Sequence, residues 1–175
     1  MSKSAAFGFT LVEILVVLLI VSIMSGIVIA NMPALTRSGD FEAEAKRLQV
    51  VMELAREEAL MQSSEFGFRL DRGSTGAYSA YSFTIYDDEA QSWSVYDVPP
   101  LQHHELPEGI EMQLVIEGEG FRLDEEEDEG LPPVMLLSSG ETTPFDLTIF
   151  VGRDDSVTLT SDGYARIKKV DPNAE

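Results

Sequence analysis

The sequence has no cysteine, two histidines and one tryptophan in 175 residues. Without thiols there is no disulfide framework, no thiolate zinc site and no cysteine nucleophile. Basic residues are scarce too: 12 Lys and Arg stand against 31 Asp and Glu, a formal net charge of −19. Nucleic-acid binding needs Lys and Arg clustered on phosphates, so this balance argues against it. It equally disfavours charge-driven attachment to anionic lipid headgroups. At 44% hydrophobic residues the chain can bury a core, and its length suits one domain with an appendage.

Charge itself is missing from one place. Between Lys3 and Arg37 the only ionisable side chain is Glu13, and Ile14 to Leu35 runs 22 residues without a charge. As a helix that run extends about 33 Å, enough to cross a hydrocarbon core of roughly 30 Å. Its β-branched residues are no objection, because lipid leaves the backbone no partner except its own helix. A buried core helix is the plainer alternative, but so long an apolar run is unusual in a soluble domain. A secretory signal peptide fits less well. It has a basic start and an apolar stretch of about 7–15 residues, whereas here only Lys3 precedes the run and a carboxylate stands at its mouth.

A carboxylate deep in a membrane helix costs about 2.5–3.5 kcal/mol by insertion scales, so it calls for a partner. The nearest basic side chains along the sequence, Lys3 and Arg37, are 10 and 24 positions from Glu13. Cutting the chain after Gly8 would create a cation, the α-amino group of Phe9. Four residues separate it from Glu13, which puts both on one helix face about 6 Å apart along the axis. The competing reading of Glu13 is a helix-end charge that snorkels to the membrane surface.

Gly8-Phe9-Thr10-Leu11-Val12-Glu13, followed at once by the apolar run, resembles the N-terminal signal of type IV prepilins and type II secretion pseudopilins. The resemblance implies that a prepilin peptidase cuts between Gly8 and Phe9 and that Phe9 becomes an N-methylated N-terminus. It further implies that Glu13 meets the N-terminal amine of a neighbouring subunit during filament assembly. The implied organisation is a leader at 1–8, a transmembrane and assembly helix at 9–36, a periplasmic domain at 37–170 and a tail at 171–175.

Past the apolar run, Pro33 and Ser38-Gly39-Asp40 either bend the helix or end it, with Asp40 as the N-cap of a new one. Phe41, Ala45, Leu48, Met52, Ala55 and Ala59 then recur at alternating spacings of four and three, which is an apolar helical stripe over about 40–63. Lys46, Arg47, Glu53, Arg56 and Glu57 fall on the other faces. A two-helix coiled coil would use the same spacing, but the small Ala residues and short length favour packing on the chain's own sheet. If Pro33 only kinks the chain, helix runs from about Thr10 to Gln62, roughly 80 Å.

Beyond Ser63 the apolar period changes to two. Strands are expected at Glu65–Leu70, Ala80–Tyr86, Ser92–Asp97, Ile110–Ile116, Gly120–Asp124, Val134–Ser138, Phe145–Val151, Ser156–Thr160 and Tyr164–Lys168. Gly73-Ser74-Thr75-Gly76, Gly152-Arg153-Asp154-Asp155 and Ser161-Asp162-Gly163 supply turns, the last two making consecutive hairpins. Helix first and strands after implies an α+β fold, a long N-terminal helix packed on antiparallel sheet. That is also the pilin-like fold the resemblance implies.

A second stretch carries a resemblance of its own. Pro133 to Phe145 and Asp146-Leu147-Thr148-Ile149 look like a strand–turn–strand segment of minor pseudopilins of type II secretion, as does Ala55-Arg56-Glu57-Glu58-Ala59. Physically it reads as a buried strand, a Ser138-Ser139-Gly140 turn that needs positive φ, and a second strand entered through Pro144.

Sites of chemistry find little support. His103-His104-Glu105 has no third His or Cys to complete a metal site, and the flanking Pro99-Pro100 and Pro107 put it in a loop. Asp124, Glu126 and Asp128 in the run Asp124–Glu129 offer oxygens to calcium, but unbroken like charge is ordinarily a solvated loop. Ser138-Ser139-Gly140 is not the G-x-S-x-G of a nucleophile elbow. Gly118-Glu119-Gly120 starts a dinucleotide fingerprint, yet Leu123 replaces its third glycine. Tyr78, Tyr81, Phe83, Tyr86, Trp93 and Tyr96 read as sheet packing rather than a ligand platform.

The expectation is therefore a structural subunit and not an enzyme, with no cofactor and no metal. The resemblance implies a minor pseudopilin near the tip of a type II secretion pseudopilus, supporting export of folded proteins across the outer membrane. It implies a single-pass protein of the bacterial inner membrane with its C-terminal domain in the periplasm. Its partners would be other minor and major pseudopilins and the prepilin peptidase, with no nucleic acid. A minor type IV pilin of a motility or DNA-uptake pilus, and a membrane-anchored periplasmic binding module, stay open as alternatives.

Overall fold

The computed structural model describes residues 11–73, 76–121, 131–152 and 155–170, with side chains at 27–39 excepted. Helix α1 (Leu11–Gln62) is followed by ten strands: β1 (Phe66–Arg72), β2 (Tyr78–Asp87), β3 (Ser92–Val95), β4 (His104–Glu105), β5 (Ile110–Ile116), β6 (Glu119–Gly120), β7 (Val134–Leu136), β8 (Phe145–Val151), β9 (Asp155–Ser161) and β10 (Lys168–Val170). The chain divides into two compact units, residues 1–40 and 41–175. Helix is continuous through Pro33 and Asp40, so Asp40 is an exposed position inside α1 and not an N-cap. An interior proline removes its own N–H from the ladder and crowds the carbonyl four residues back, yet the helix continues past Pro33.

Within the second unit the apolar stripe faces inward. Phe41, Ala45, Leu48, Met52, Ala55 and Ala59 are buried, and Val51 joins them. The helix ends where Ser63 turns to a φ of 53° and Ser64 N–H donates to the Ala59 carbonyl at 3.2 Å, a left-handed C-terminal turn. The sheet is antiparallel in the order β10-β9-β8-β5-β2-β1-β7. β3 and β4 add to β2, and β6 adds to β5. The strands β5, β8 and β9 carry clean alternation, with Met112, Leu114, Leu147, Ile149, Val157 and Leu159 turned into the core. The join between β2 and β5 is a single pair, Tyr78 opposite Met112.

Three strand expectations change. Gly120–Asp124 shrinks to Glu119–Gly120, with 122–130 outside the described residues. Tyr164–Lys168 gives way to a turn in which the Asp162 carboxylate accepts from the N–H groups of Tyr164 and Ala165, and strand pairing starts only at Lys168. That side-chain oxygen offers the backbone an alternative to the ladder. Conversely, His104–Glu105 is a short strand and not loop, opposite Tyr81 and Ala80, because Leu101 and Leu106 are buried on either side and draw the segment onto the sheet.

Candidate functional site

The first unit presents its site by exposure. Glu13 lies on α1, at the start of the described part of the helix. From Leu11 to Met24 every large apolar side chain is exposed, from Leu11 at 78% to Ile14 and Val16 at 48%. Consecutive positions are involved, so the apolar surface goes all round the helix. An amphipathic helix has one wet face; this one has none suited to water. Each such side chain gains about 1.5–3 kcal/mol on leaving water, so the helix is built for an apolar surrounding that this unit does not itself supply. Ser22 is no obstacle, because its hydroxyl donates to the Leu18 carbonyl at 2.8 Å. Among the described residues no helix is long and apolar enough to cross a membrane. The part of the Ile14–Leu35 run at 27–35 lies outside the described side chains, as Gly8 and Phe9 lie outside the described residues altogether.

In the second unit the polar flank of α1 fastens the helix to distant parts of the sheet. Glu53 accepts the Ile167 N–H, and Gln49 donates to the Ile167 carbonyl at 3.3 Å. Arg56 donates to the Gly140 carbonyl at 3.1 Å, and its Nε is 3.5 Å from Glu53. Gly140 has φ 89°, as a turn closed by its N–H onto the Leu137 carbonyl requires. Glu65 holds the same turn from the other side, accepting the Ser138 N–H at 3.0 Å and its hydroxyl at 2.8 Å. The Ser138-Ser139-Gly140 segment is thus a clamped structural turn.

His103 and His104 point apart. His104 Nε2 is 2.8 Å from Glu44 on α1, with Arg47 4.0 Å from the same carboxylate oxygen, whereas His103 sits 3.3 Å from Asp71. The Tyr81 ring lies 5.3 Å from that of His104, and burial pushes the Tyr81 hydroxyl up to about 12. Among the described residues no three His, Asp or Glu side chains group to hold a metal; Asp124, Glu126 and Asp128 lie outside them. Of the aromatic series, Tyr81 and Phe83 are buried with Phe68, Tyr96 packs on Phe66, and Tyr86 meets Trp93 at a tilt of 59°. Sequence reading missed the fastening roles of Gln49, Glu53 and Glu65. Their partners are 73 to 118 residues away, and nothing local marks them.

Comparison with known proteins agrees with both units. Residues 3–29 match the prokaryotic N-terminal methylation motif, and residues 44–168 match the family model described as type II transport protein GspH. Type II secretion system protein H of Pseudomonas aeruginosa is 30% identical over 177 positions, covering 95% of this chain and 96% of that protein. The protein of the same name from Vibrio cholerae is 29% identical over 167 positions, 84% of each chain. Among solved structures, the minor pseudopilin EpsH from the type 2 secretion system of Vibrio cholerae shares the fold with a TM-score of 0.61 at 23% identity, over 78% of this chain and 99% of that one.

Proposed function

This chain belongs to the type II transport protein GspH family and is a minor pseudopilin of the type II secretion system, and from that premise we propose how it enters a filament. Prepilin peptidase cuts between Gly8 and Phe9, Phe9 is N-methylated, and the apolar part of α1 then packs among the helices of neighbouring pseudopilins. Glu13 sets the register. A carboxylate carried into apolar surroundings is costly, and the α-amino group of another subunit's Phe9 offsets that cost only when the two helices are aligned. The role is mechanical and structural, at the tip region of a pseudopilus that supports export of folded proteins across the outer membrane. The methylation motif and the family imply an inner-membrane anchor; we place residues 37–170 on its periplasmic side.

The observation that carries this reading is the all-round exposure of Leu11–Met24 with Glu13 at its mouth. Mass spectrometry of the mature N-terminus tests the first half: the expected species begins at N-methylated Phe9, and retention of Met1 or a cut near Ala30 overturns it. Glu13→Ala tests the second. The folded domain and membrane insertion should persist, while co-purification with other minor pseudopilins falls about ten-fold or more, the loss of a charge-assisted contact worth about 1.5–3 kcal/mol. Unchanged co-purification removes Glu13 from the mechanism.

A further inference from the structure

Strand β3 is an open edge of unusual composition. Among the described residues it pairs only with β2, through Thr84–Val95, Ile85–Ser94, Tyr86–Trp93 and Asp87–Ser92. Two hydrogen bonds set the direction of its backbone groups. Tyr96 N–H donates to the Phe83 carbonyl at 2.8 Å, and Tyr86 N–H donates away from β3, to the Glu65 carbonyl at 2.9 Å. Alternation along an antiparallel pair then turns the N–H and C=O groups of Trp93 and Val95 outward. Among the described residues no backbone partner meets them there. Natural edges are blunted by short length, charge, Pro or a bulge; β3 is short, at four residues, but Ser92-Trp93-Ser94-Val95 carries no charge, no Pro and no bulge.

The face beside this edge is covered at its middle, where Pro132 buries Gly67 and Thr84, and exposes apolar side chains at its ends, Val95 and Met135. Met135, Gly67, Thr84 and Val95 are opposite one another across β7, β1, β2 and β3, so they form one row on the sheet face turned away from Phe66, Phe68 and α1. Gly67 leaves room for Pro132 to lie against the sheet: a Cβ there would meet Pro132 Cγ at 2.3 Å and Thr84 Oγ1 at 2.5 Å. Leu131 beside Pro132 is 65% exposed and Val95 is 69% exposed, with the Tyr86–Trp93 ring pair two residues along the strands.

Charge selects the occupant. From Gly73 to Phe121 the sequence contains no Lys or Arg, and Asp87, Asp88, Glu89 and Asp97 flank β3. A second copy of this −19 chain would be repelled, whereas an extended segment bearing Lys or Arg would be attracted. We propose that β3 is the docking edge for a basic, extended segment of a different protein, which adds as a strand against Trp93 and Val95 and lays alternate apolar side chains beside Val95 and Leu131. This goes beyond filament entry, and it does not involve Glu13.

The test uses the full-length chain in detergent and two synthetic peptides, acetyl-Lys-Val-Thr-Ile-Lys-Val-Lys-amide and the same sequence with Glu for every Lys. Amide hydrogen exchange is followed by NMR. At ten times its Kd the basic peptide should slow exchange at Trp93 and Val95 by about ten-fold, leaving Ser94, already bonded to β2, little changed. The acidic peptide should have no effect. Val95→Pro removes one outward N–H at a position where an edge strand tolerates proline, and should abolish the protection at Trp93 while leaving the thermal midpoint within about 2 °C. Should that variant fail to fold, Val95→Lys serves as the second blocking variant. Equal protection by both peptides, none by the basic one, or dimerisation of the chain through β3 overturns the proposal.

Discussion

The two halves of α1 use apolar residues in opposite ways. In residues 11–26 they occupy nearly every position and all are exposed; in residues 41–62 the stripe from Phe41 to Ala59 is buried, and Val50, Leu60 and Met61 stay exposed off it. The difference teaches where each half finds its partner. A stripe with period 3.6 names a partner within the chain, here the sheet face carrying Phe66, Phe68 and Phe83. An apolar cylinder names one outside it.

The sharpest way to break that comparison is a pair of truncations. Leu48→Ala should cost about 2–5 kcal/mol in a denaturant melt, the price of a cavity in a packed core. Leu18→Ala should move the same melt by less than about 0.5 kcal/mol, because its surroundings lie outside the folded unit. Equal shifts would show that the two halves are not distinct. Gly67→Ala asks whether the far face of the sheet is packed as tightly as the helix face. Crowding against Pro132 and Thr84 should cost about 1–3 kcal/mol by thermal unfolding.

The smallest effect lies under the helix. Among the described residues the buried Tyr81 hydroxyl meets no hydrogen-bond partner, and burial raises it from 10.0 to about 12, the nearby Arg47 opposing and Glu44 adding. Its contribution to stability is therefore fully present below pH 10 and is lost as pH rises through about 12, since the unfolded chain ionises first. Tyr81→Phe should be close to neutral at pH 7, within about 1 kcal/mol, and should remove that part of the alkaline loss. A melt at pH 11 that falls equally in both proteins would assign the loss to other groups.

Most of the architecture was legible in the sequence because period and turn chemistry are local. The six-residue stripe from Phe41 to Ala59 and the strands at 110–116 and 145–151 are found where alternation put them. The segment around His104 was misread because its local proline-rich composition speaks for a loop, while burial of Leu101 and Leu106, a tertiary effect, decides otherwise. Of the motif Gly8–Glu13, Leu11, Val12 and Glu13 are described, on α1; the role of Glu13 stays with the proposal above. The Glu53, Gln49 and Glu65 contacts had no local signal, because ordinary helix-surface and loop residues acquire them only through the fold.

The grip of Gln49 and Glu53 on Ile167 carries a consequence in time. The helix is made first and Ile167 nearly last, with 118 and 114 residues between the partners. The contacts of the polar flank of α1 therefore stay incomplete until almost the whole chain has been made. A chain that stops short of Ile167 lacks the contacts that tie its first element to the segment entering its last, so the finished domain registers that synthesis has run nearly to the end.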